Sequence, residues 1–541
     1  MHTYVTNGQQ LNIPACPRSV ALGLFDGLHP GHRQVILAAM QGIEDTVTRC
    51  VYTFDRATVT TKMSAGELCT PEEETALLGA MGVDELIRVD FATVRHLTPE
   101  DFVREILHRQ LGAVKVTCGF NYRFGAGGSG DATLLTRLCA AYDIAVTVVP
   151  EVDVDGLPIN STAIRAAIAA GDMVLARRLL GRPYGLQVTV TEGQQLGRRL
   201  GLPTINQVLP PYLCQPKFGV YASCVQVGTA VYPAVTNIGV RPTVGANQPL
   251  AETYLLNYTG DLYGTTPTVY PLRYLREEQV FPSLEALKAQ IGLDVAATEG
   301  LFAPPSDQTI RAVFFDFDDT LDNRDAAFRQ GLSGFLTHYY PSLSEAERSL
   351  RQEEMFRYQR GEYGQIIYYE TMIRHFLSRW PAEVPADPER ALWRFYHDFA
   401  AGGVLHPDVL PTLTALRRRG YLTGIITNGR PLPQTCKMDH SGLRPYVDLM
   451  VLAGEEGVQK PDPALFHMAA ARLGVSPAAC LYVGDHPQND VEGARKAGFK
   501  AVLKQADREP DHPIHRFPLP EGLPVIREIR QVLDLLEKDY S

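Results

Sequence analysis

The stretch Ala312-Val313-Phe314-Phe315-Asp316-Phe317-Asp318-Asp319-Thr320 decides the fold of the last part of this 541-residue chain. Its four leading apolar residues predict a buried strand, and the carboxylates after them lie at the carboxyl end of that strand. In open α/β sheets this end is where sites form. One carboxylate there can attack phosphorus while another moves a proton. The stretch therefore predicts an α/β domain with a phosphoryl-transfer site, against the alternative of an acidic turn that merely ends a strand.

Three later segments supply the other groups that such a site needs. A strand ends at Thr427 and Asn428, where a hydroxyl and backbone N–H groups can hold the transferring phosphoryl group. Lys460 places a cation at the head of a helix. Asp485 and Asp490 follow another strand and can help to bind Mg²⁺, which prefers oxygen ligands. Each segment alone is a weak signal, but four of them in this order favour a catalytic site.

The first part of the chain alternates apolar strands with amphipathic helices, which is typical of a parallel α/β sheet. Gly23-Leu24-Phe25-Asp26-Gly27-Leu28-His29-Pro30-Gly31-His32 follows its first strand. Pro30 suits a first helical turn, the histidines share one helix face, and Gly31 lets a nucleotide approach the backbone. A helix N-terminus also attracts phosphate. Because the sequence has no Walker-type phosphate loop, this arrangement is the candidate ATP site.

Two further segments of the first part can complete that site. In Asn160-Ser161-Thr162-Ala163-Ile164-Arg165, the hydroxyls and the guanidinium can hold phosphates through charge-assisted hydrogen bonds. The segment Gly119-Phe120-Asn121-Tyr122-Arg123-Phe124-Gly125 combines a basic side chain with aromatic residues and a glycine-rich continuation.

Changes in sequence pattern divide the chain into three expected domains. Residues 1–183 predict a Rossmann-like α/β domain, and residues 184–302 predict a small antiparallel β-barrel closed by a helix. A proline-rich linker then precedes a third domain, 303–541, of α/β type. Its almost wholly helical segment, about 322–403, predicts a cap inserted into the α/β core.

Composition excludes some functions and partners. The formal net charge of −10 argues against a protein that coats nucleic acid. Nine cysteines without a C-x-x-C pair are typical of reduced thiols, so we expect a cytoplasmic protein. We expect neither an export signal nor a membrane anchor, since no basic and then apolar leader and no long apolar run occurs. The sequence leaves the oligomeric state open.

From about Ser19 to Asp294, these segments in this order resemble the bacterial bifunctional riboflavin kinase/FMN adenylyltransferase family. The resemblance implies that the first domain converts FMN and ATP to FAD and pyrophosphate, with His29 and His32 stabilising the pentavalent phosphorus. It implies that ATP or FMN is bound by Gly23, Phe25, Asp26, Gly31, Asn121, Arg123, Ser161, Thr162 and Arg165. A class I aminoacyl-tRNA synthetase is rejected because its second signature would lie far too early, at 62–66, and because the chain lacks a basic balance.

The second domain carries Gly197-Arg198-Arg199-Leu200-Gly201-Leu202-Pro203-Thr204-Ile205-Asn206, which resembles the kinase signature of the same family. The resemblance implies that Thr204 and Asn206 hold Mg²⁺ and ATP and that Glu252 takes the proton from the ribityl hydroxyl. Arg56-Ala57-Thr58 replaces the family's usual Pro-His-Pro. This departure concerns adenylyltransfer more than kinase activity, and a chain with one of the two activities is the alternative.

The third domain resembles the haloacid dehalogenase superfamily with a helical cap. The resemblance implies Asp316 as the nucleophile, Asp318 as the general acid and base, and Mg²⁺ among Asp316, Asp318, Asp485 and Asp490. Fusion to a flavin kinase favours the riboflavin precursor 5-amino-6-ribitylamino-uracil 5′-phosphate as the substrate. The alternatives are an FMN phosphatase, a nucleotide phosphatase, and a non-catalytic docking or flavin-sensing module.

Overall fold

The computed structural model describes residues 1–6, 10–55, 58, 66–192, 201–240, 248–306, 309–360, 367–506 and 517–539. Arg56 and Ala57, the first four residues of the kinase signature and residues 241–247 lie outside these ranges. Three sheets organise the described residues, two of them parallel and one antiparallel. No helix among these residues is both long and apolar enough to cross a membrane.

The first sheet is parallel and has six strands. They are β1 (His2–Thr6), β2 (Arg18–Leu22), β3 (Thr48–Phe54), β4 (Glu85–Val89), β5 (Ala113–Gly119) and, after the short hairpin β6 (Arg123–Phe124) and β7 (Gly130–Asp131), β8 (Ala145–Val149). Their order across the sheet is β1-β4-β3-β2-β5-β8. The sequential order of the strands therefore reverses between the parallel neighbours β2 and β5, which is the switch point where ligands bind in doubly wound folds.

Helices cover this sheet, and two begin beside the switch point. They are α1 (Pro30–Met40), α2 (Pro71–Ala80), α3 (Phe91–Val94), α4 (Pro99–Asp101, continued by a π-helical segment Phe102–Gln110), α5 (Ala132–Ala140), α6 (Ser161–Ala170) and α7 (Met173–Leu180). His29 caps α1 and Asn160 caps α6, because each side chain accepts a hydrogen bond from a backbone N–H of the first turn. The two caps place both candidate phosphate segments at helix starts.

The second sheet is antiparallel. After the hairpin β9 (Asp153–Val154) and β10 (Leu157–Pro158), its strands are β11 (Leu186–Gln187), β12 (Val190–Thr191), β13 (Thr204–Val208), β14 (Gly219–Val227), β15 (Ala230–Val240), β16 (Pro249–Leu255) and β17 (Thr268–Arg276). The order is β11-β17-β14-β15-β16-β13-β12, and α8 (Leu284–Phe302) follows. One apolar cluster includes Ile164 and Leu179 of the helices before this sheet and Val225 and Val269 within it. The helices at the end of the first unit therefore share one core with the second sheet, while the first sheet has cores of its own.

Five strands of the third sheet have the same order as β4-β3-β2-β5-β8 of the first. It is parallel, with strands β18 (Ala312–Phe315), β19 (Leu422–Thr427), β20 (Leu449–Leu452), β21 (Cys480–Gly484), β22 (Lys500–Lys504) and β23 (Val525–Ile526), in the order β20-β19-β18-β21-β22-β23. Its switch point lies between β18 and β21.

Four helices follow β18 and precede β19. They are α9 (Arg324–Tyr339), α10 (Glu345–Arg360), α11 (Tyr369–Arg379) and α12 (Pro388–Ala401). An aromatic cluster that includes Phe328, Phe376 and Phe395 is their own core. The remaining helices lie against the third sheet: α13 (Val409–Arg418), α14 (Pro431–His440), α15 (Ala453–Glu456), α16 (Pro463–Leu473), α17 (Gly493–Lys496) and α18 (Gln531–Asp539).

The predicted fold class is confirmed: two parallel α/β units, an antiparallel β unit and an inserted helical segment. The sequence analysis missed β1, β4 and β15. In β4, Glu85 and Arg88 interrupt the apolar pattern, but both side chains are paired, with Arg18 and Glu74 respectively. Burial of charged residues inside a strand is rare unless they are paired, so the pattern alone did not indicate a central strand.

The Arg18–Glu85 pair generates a stability prediction. Arg18 is fully buried and its Nε lies 2.7 Å from Glu85 Oε2, while its other nitrogens donate to backbone carbonyls. Glu85→Gln removes the compensating charge and should lower the free energy of unfolding by about 3 kcal/mol. Glu105→Gln, which affects an exposed pair with Arg104, should lower the free energy of unfolding far less. Urea unfolding of both variants measures the difference, and equal losses would contradict the account.

Candidate active sites

The third sheet gathers the carboxylates of the opening motif at its switch point. Asp316 follows β18 directly, and its backbone N–H donates to the carbonyl of Val483 in β21 at 2.9 Å. Asp485 follows β21 in the same way. Because neighbouring parallel strands end at the same edge of the sheet, the carboxylates of Asp316 and Asp485 lie close together there.

Lys460 is the central cation of this site. Its Nζ lies 2.6 Å from Asp316 Oδ1, 2.7 Å from Asp490 Oδ1 and 3.0 Å from the hydroxyl of Tyr482. The lysine is 3% exposed. Burial by itself lowers the pKa of Lys460, but the two carboxylates overcome this effect and raise it, so the ammonium stays charged.

The carboxylate oxygens of Asp316, Asp485 and Asp490 lie within 4.8 Å of one another, and all three residues are buried. Oxygen donors of this kind suit Mg²⁺. Burial raises the pKa of Asp316, and the neighbouring carboxylate of Asp490 adds to this effect, while Lys460 opposes both. A divalent cation would relieve the same repulsion, so the residues present fit the metal.

Asp318 has two partners that the sequence analysis missed, both on α14. Lys437 Nζ donates to Asp318 Oδ1 at 2.5 Å, and Gln434 Nε2 donates to Oδ2 at 3.0 Å. Burial alone would raise the pKa of Asp318, but Lys437 and then Arg324 overcome this effect and lower it. The sequence did contain an indication of this contact. Gln434 and Lys437 lie three residues apart on the helix just after the Thr427 motif, and side chains at i and i+3 share one helix face.

The remaining predicted residues line the same edge. Thr427 ends β19 and is buried. Asn428 exchanges two hydrogen bonds with the backbone of Lys460, donating to its carbonyl at 3.0 Å and accepting from its N–H at 2.8 Å. The side chain of Asn428 therefore positions the segment that carries the central lysine, and the predicted phosphate contact through backbone N–H groups stays a prediction.

The two histidines of the first domain lie together at the start of α1. Their rings stack with centroids 3.6 Å apart, and the backbone N–H of His32 donates to His29 Nδ1 at 3.3 Å. Burial, with Arg182 and Arg165 nearby, lowers the pKa of His29 to about 3. His29 is therefore neutral, and since its Nδ1 accepts, its proton is on Nε2 as a donor.

Asp26 connects this helix start with the segment at α6. Arg165 donates to the Asp26 carboxylate and, at 2.6 Å, to the carbonyl of Gly66. The hydroxyl of Ser161 donates to the Asp26 carbonyl at 3.1 Å. The structure thus brings the predicted residues of both segments together, with Arg165 in a buried ion pair rather than directed at solvent.

Other predicted residues of the first site are less tightly placed. Phe25 has a φ of 42°, an unusual value for a side chain other than glycine. A Cβ on Gly23 would lie 2.8 Å from the Phe25 ring, so only glycine fits there. Asn121 and Arg123 come after β5 and are exposed, and they share only the sheet edge with the histidines.

The candidate kinase site is a row of polar side chains across three neighbouring strands. Glu252 of β16 lies directly opposite Asn206 of β13 and opposite Asn237 of β15. Thr204 precedes Asn206 by two residues and therefore points to the same face. Asn206 is buried, and its Oδ1 has no hydrogen-bond partner among the described residues. Such an oxygen fits a magnesium ligand, and Asn237 is an addition to the predicted residues.

Three family models match the chain in sequence order. The model described as FAD synthetase matches residues 14–163, that of riboflavin kinase matches 180–302, and that of haloacid dehalogenase-like hydrolase matches 310–498. Together they cover the candidate residues of all three sites except Arg165.

Two bacterial enzymes match the sequence of this chain over its first two units. The bifunctional riboflavin kinase/FMN adenylyltransferase of Pseudomonas fluorescens is 40% identical over 290 residues, covering 52% of this chain and 92% of that protein. The enzyme of the same description from Escherichia coli K12 is 34% identical over 293 residues, with coverage of 52% and 92%. A solved structure described as a macrolide-efflux protein from Streptococcus pneumoniae is 29% identical, with coverage of 55% and 99% and a TM-score of 0.49. At that TM-score the likeness adds nothing to the assignment.

The chain therefore belongs to the family of bifunctional riboflavin kinase/FMN adenylyltransferases, to which a haloacid dehalogenase-like hydrolase domain is joined.

Proposed function

We propose that this chain phosphorylates riboflavin to FMN, adenylylates FMN to FAD, and hydrolyses a phosphomonoester at the third sheet. The observation that carries the third activity is the buried cluster of Lys460 with Asp316 and Asp490, beside Asp318. We assign the three activities to residues 1–183 (adenylyltransfer), 184–302 (kinase) and 303–541 (hydrolysis), with the cap at about 322–403.

In the proposed hydrolysis, an oxygen of Asp316 attacks phosphorus and the ester oxygen leaves with the alcohol product. Asp318, held by Lys437 and Gln434, lies two residues away to move protons between the alcohol, water and the phosphoenzyme. Water then cleaves the aspartyl-phosphate and regenerates Asp316. Mg²⁺, held by Asp316, Asp485, Asp490 and the backbone of Asp318, would supply positive charge against the phosphoryl oxygens.

For the first two activities, the proposed roles follow from the placement of the side chains. The neutral His29, with its donor on Nε2, and His32 would stabilise the phosphorus of ATP at the start of α1, where the helix adds its own attraction for anions. Thr204 and Asn206 would hold Mg²⁺ and ATP, and Glu252, opposite Asn206, would accept the proton of the ribityl hydroxyl.

The substrate that we propose for the third site is 5-amino-6-ribitylamino-uracil 5′-phosphate. Its product leads to riboflavin, which the adjoining kinase uses, so hydrolysis and phosphorylation would serve one direction of synthesis. Hydrolysis of FMN would oppose the kinase in the same chain. FMN or a pyrimidine nucleotide is the alternative substrate, and a flavin-sensing module without catalysis is the alternative function.

Asp316→Asn tests the proposed phosphatase. Loss of the nucleophile should reduce phosphate release by at least about a thousandfold, because groups that act as one catalytic unit fail together. Phosphate release from the uracil precursor, FMN and pyrimidine nucleotides, with Mg²⁺, measures both the activity and its preference. Wild-type turnover of FMN or a nucleotide without turnover of the precursor would contradict the proposed substrate, and unchanged release by the variant would contradict the site.

Glu252→Gln tests the proposed kinase base. The amide cannot accept the hydroxyl proton, so the kcat for FMN formation should fall about a hundredfold. Chromatography of flavins after incubation with riboflavin, ATP and Mg²⁺ measures the rate. Glu285→Gln, an exposed change at the start of α8, is the matched control and should match wild type. A normal rate in the Glu252 variant would remove this residue from the mechanism.

His32→Asn tests the proposed adenylyltransferase. Removal of a donor beside the transferring phosphorus should lower FAD formation about a hundredfold, so that product accumulates as FMN. His108→Asn, at an exposed histidine of the same domain, should leave FAD formation intact. If wild type also stopped at FMN, the first domain would have no adenylyltransferase activity.

A further inference from the structure

Helix α14 contacts two different parts of the molecule. Gln434 and Lys437 hold Asp318 in the proposed phosphatase site. Asp439 lies two residues after Lys437 and therefore on the opposite side of the helix. Its partners lie in the first domain and in the segment just after α14.

The contact with the first domain is a buried ion pair. Arg33 Nε lies 2.9 Å from Asp439 Oδ1 and Arg33 NH2 lies 2.8 Å from Oδ2, which is a two-pronged geometry. The side chains are 7% and 2% exposed. Gln34 also donates to the backbone carbonyl of Asp439 at 3.0 Å, and Arg444 is a second partner of its carboxylate. Pairs with this geometry fix orientation as well as supply energy.

The contact also lies close to the candidate ATP site. Arg33 directly follows His32 on α1, and His29 caps the same helix, so the start of α1 carries both the histidines and the contact with α14. A second ion pair between the domains, Arg178 with Asp448, has a distance of 3.2 Å and a partly exposed arginine. Asp448 precedes β20 and is not on α14, so the two pairs can be distinguished by experiment.

We propose that Arg33, a residue of the adenylyltransferase domain, is a positioning residue for the phosphatase site of the third domain. By holding Asp439 it fixes α14 in the position at which Gln434 and Lys437 meet Asp318. The inference rests on the proposed phosphatase function. It goes beyond that function because it makes one enzyme's domain a structural part of another enzyme's site, and the phosphatase then depends on the intact chain.

The test uses the full chain with Arg33→Met, Arg33→Lys and the control Arg178→Met. Methionine keeps much of the length of Arg33, and Asp439 retains Arg444 as a partner, so the fold should survive. With p-nitrophenyl phosphate and Mg²⁺, Arg33→Met should lower kcat about tenfold or more, since small displacements of catalytic groups are costly. KM should stay within about twofold of wild type, because Arg33 touches no substrate. Arg33→Lys should recover part of kcat.

Two further measurements separate positioning from a general loss of structure. Riboflavin kinase rates should be unchanged in all three variants. Hydrogen exchange of residues 431–440 should become faster in Arg33→Met and stay at the wild-type rate in Arg178→Met, and this readout does not depend on phosphatase activity.

Three results would overturn the inference. They are a wild-type kcat in Arg33→Met, an equal loss of kcat in Arg178→Met, and unchanged hydrogen exchange of α14. Failure of the proposed function itself would be seen separately, as the absence of phosphate release that depends on Asp316 in the wild-type chain.

Discussion

The third site depends on one buried ammonium group. Lys460 lies between Asp316 and Asp490, at 2.6 and 2.7 Å, and all three residues are buried. Without a cation, two carboxylates this close together could not both stay ionised. Asn428, which directly follows β19, binds the backbone of Lys460 through two hydrogen bonds. These bonds fix the position of the segment that carries the ammonium group. The proposed nucleophile, its counter-ion and the candidate metal ligands are thus parts of one electrostatic unit, and the rest of the domain holds that unit in place.

The same topology positions two different candidate sites. In the parallel first and third sheets the sequential order of the strands reverses, between β2 and β5 and between β18 and β21, and both candidate sites lie there. At the first switch point a helix start with two histidines replaces the carboxylate cluster of the third. The antiparallel unit has no such edge, so its candidate residues lie across three paired strands instead. The first domain also contacts the cap, through Asp45 with Arg394 and Asp84 with Arg390 at 2.7 and 2.6 Å, so its surface meets both parts of the third domain.

Local sequence patterns were sufficient for the fold class and for grouping the candidate residues Asp316, Thr427 and Asp485, because each of these ends or directly follows an apolar strand. They were insufficient where a partner comes from a distant segment. Lys437 and Gln434 reach Asp318 from more than a hundred residues away, and nothing near Asp318 in the sequence indicates a cation there. For the same reason β4 was missed, since Glu85 is compatible with a buried strand only because Arg18 lies two strands away. The sequence motif likewise gave no indication that the side-chain amide of Asn428 binds the Lys460 backbone, which is 32 residues further along the chain.

The central claim is that the fused domain is a catalyst that works through Asp316. Rapid acid quenching of the wild-type chain during turnover of a phosphomonoester, followed by peptide mass spectrometry, tests this claim most directly. The account predicts one phosphoryl group on the peptide that contains residues 312–320, located at Asp316 and absent in Asp316→Asn. A phosphoryl group on another residue, or turnover without any phosphorylated peptide, would contradict it.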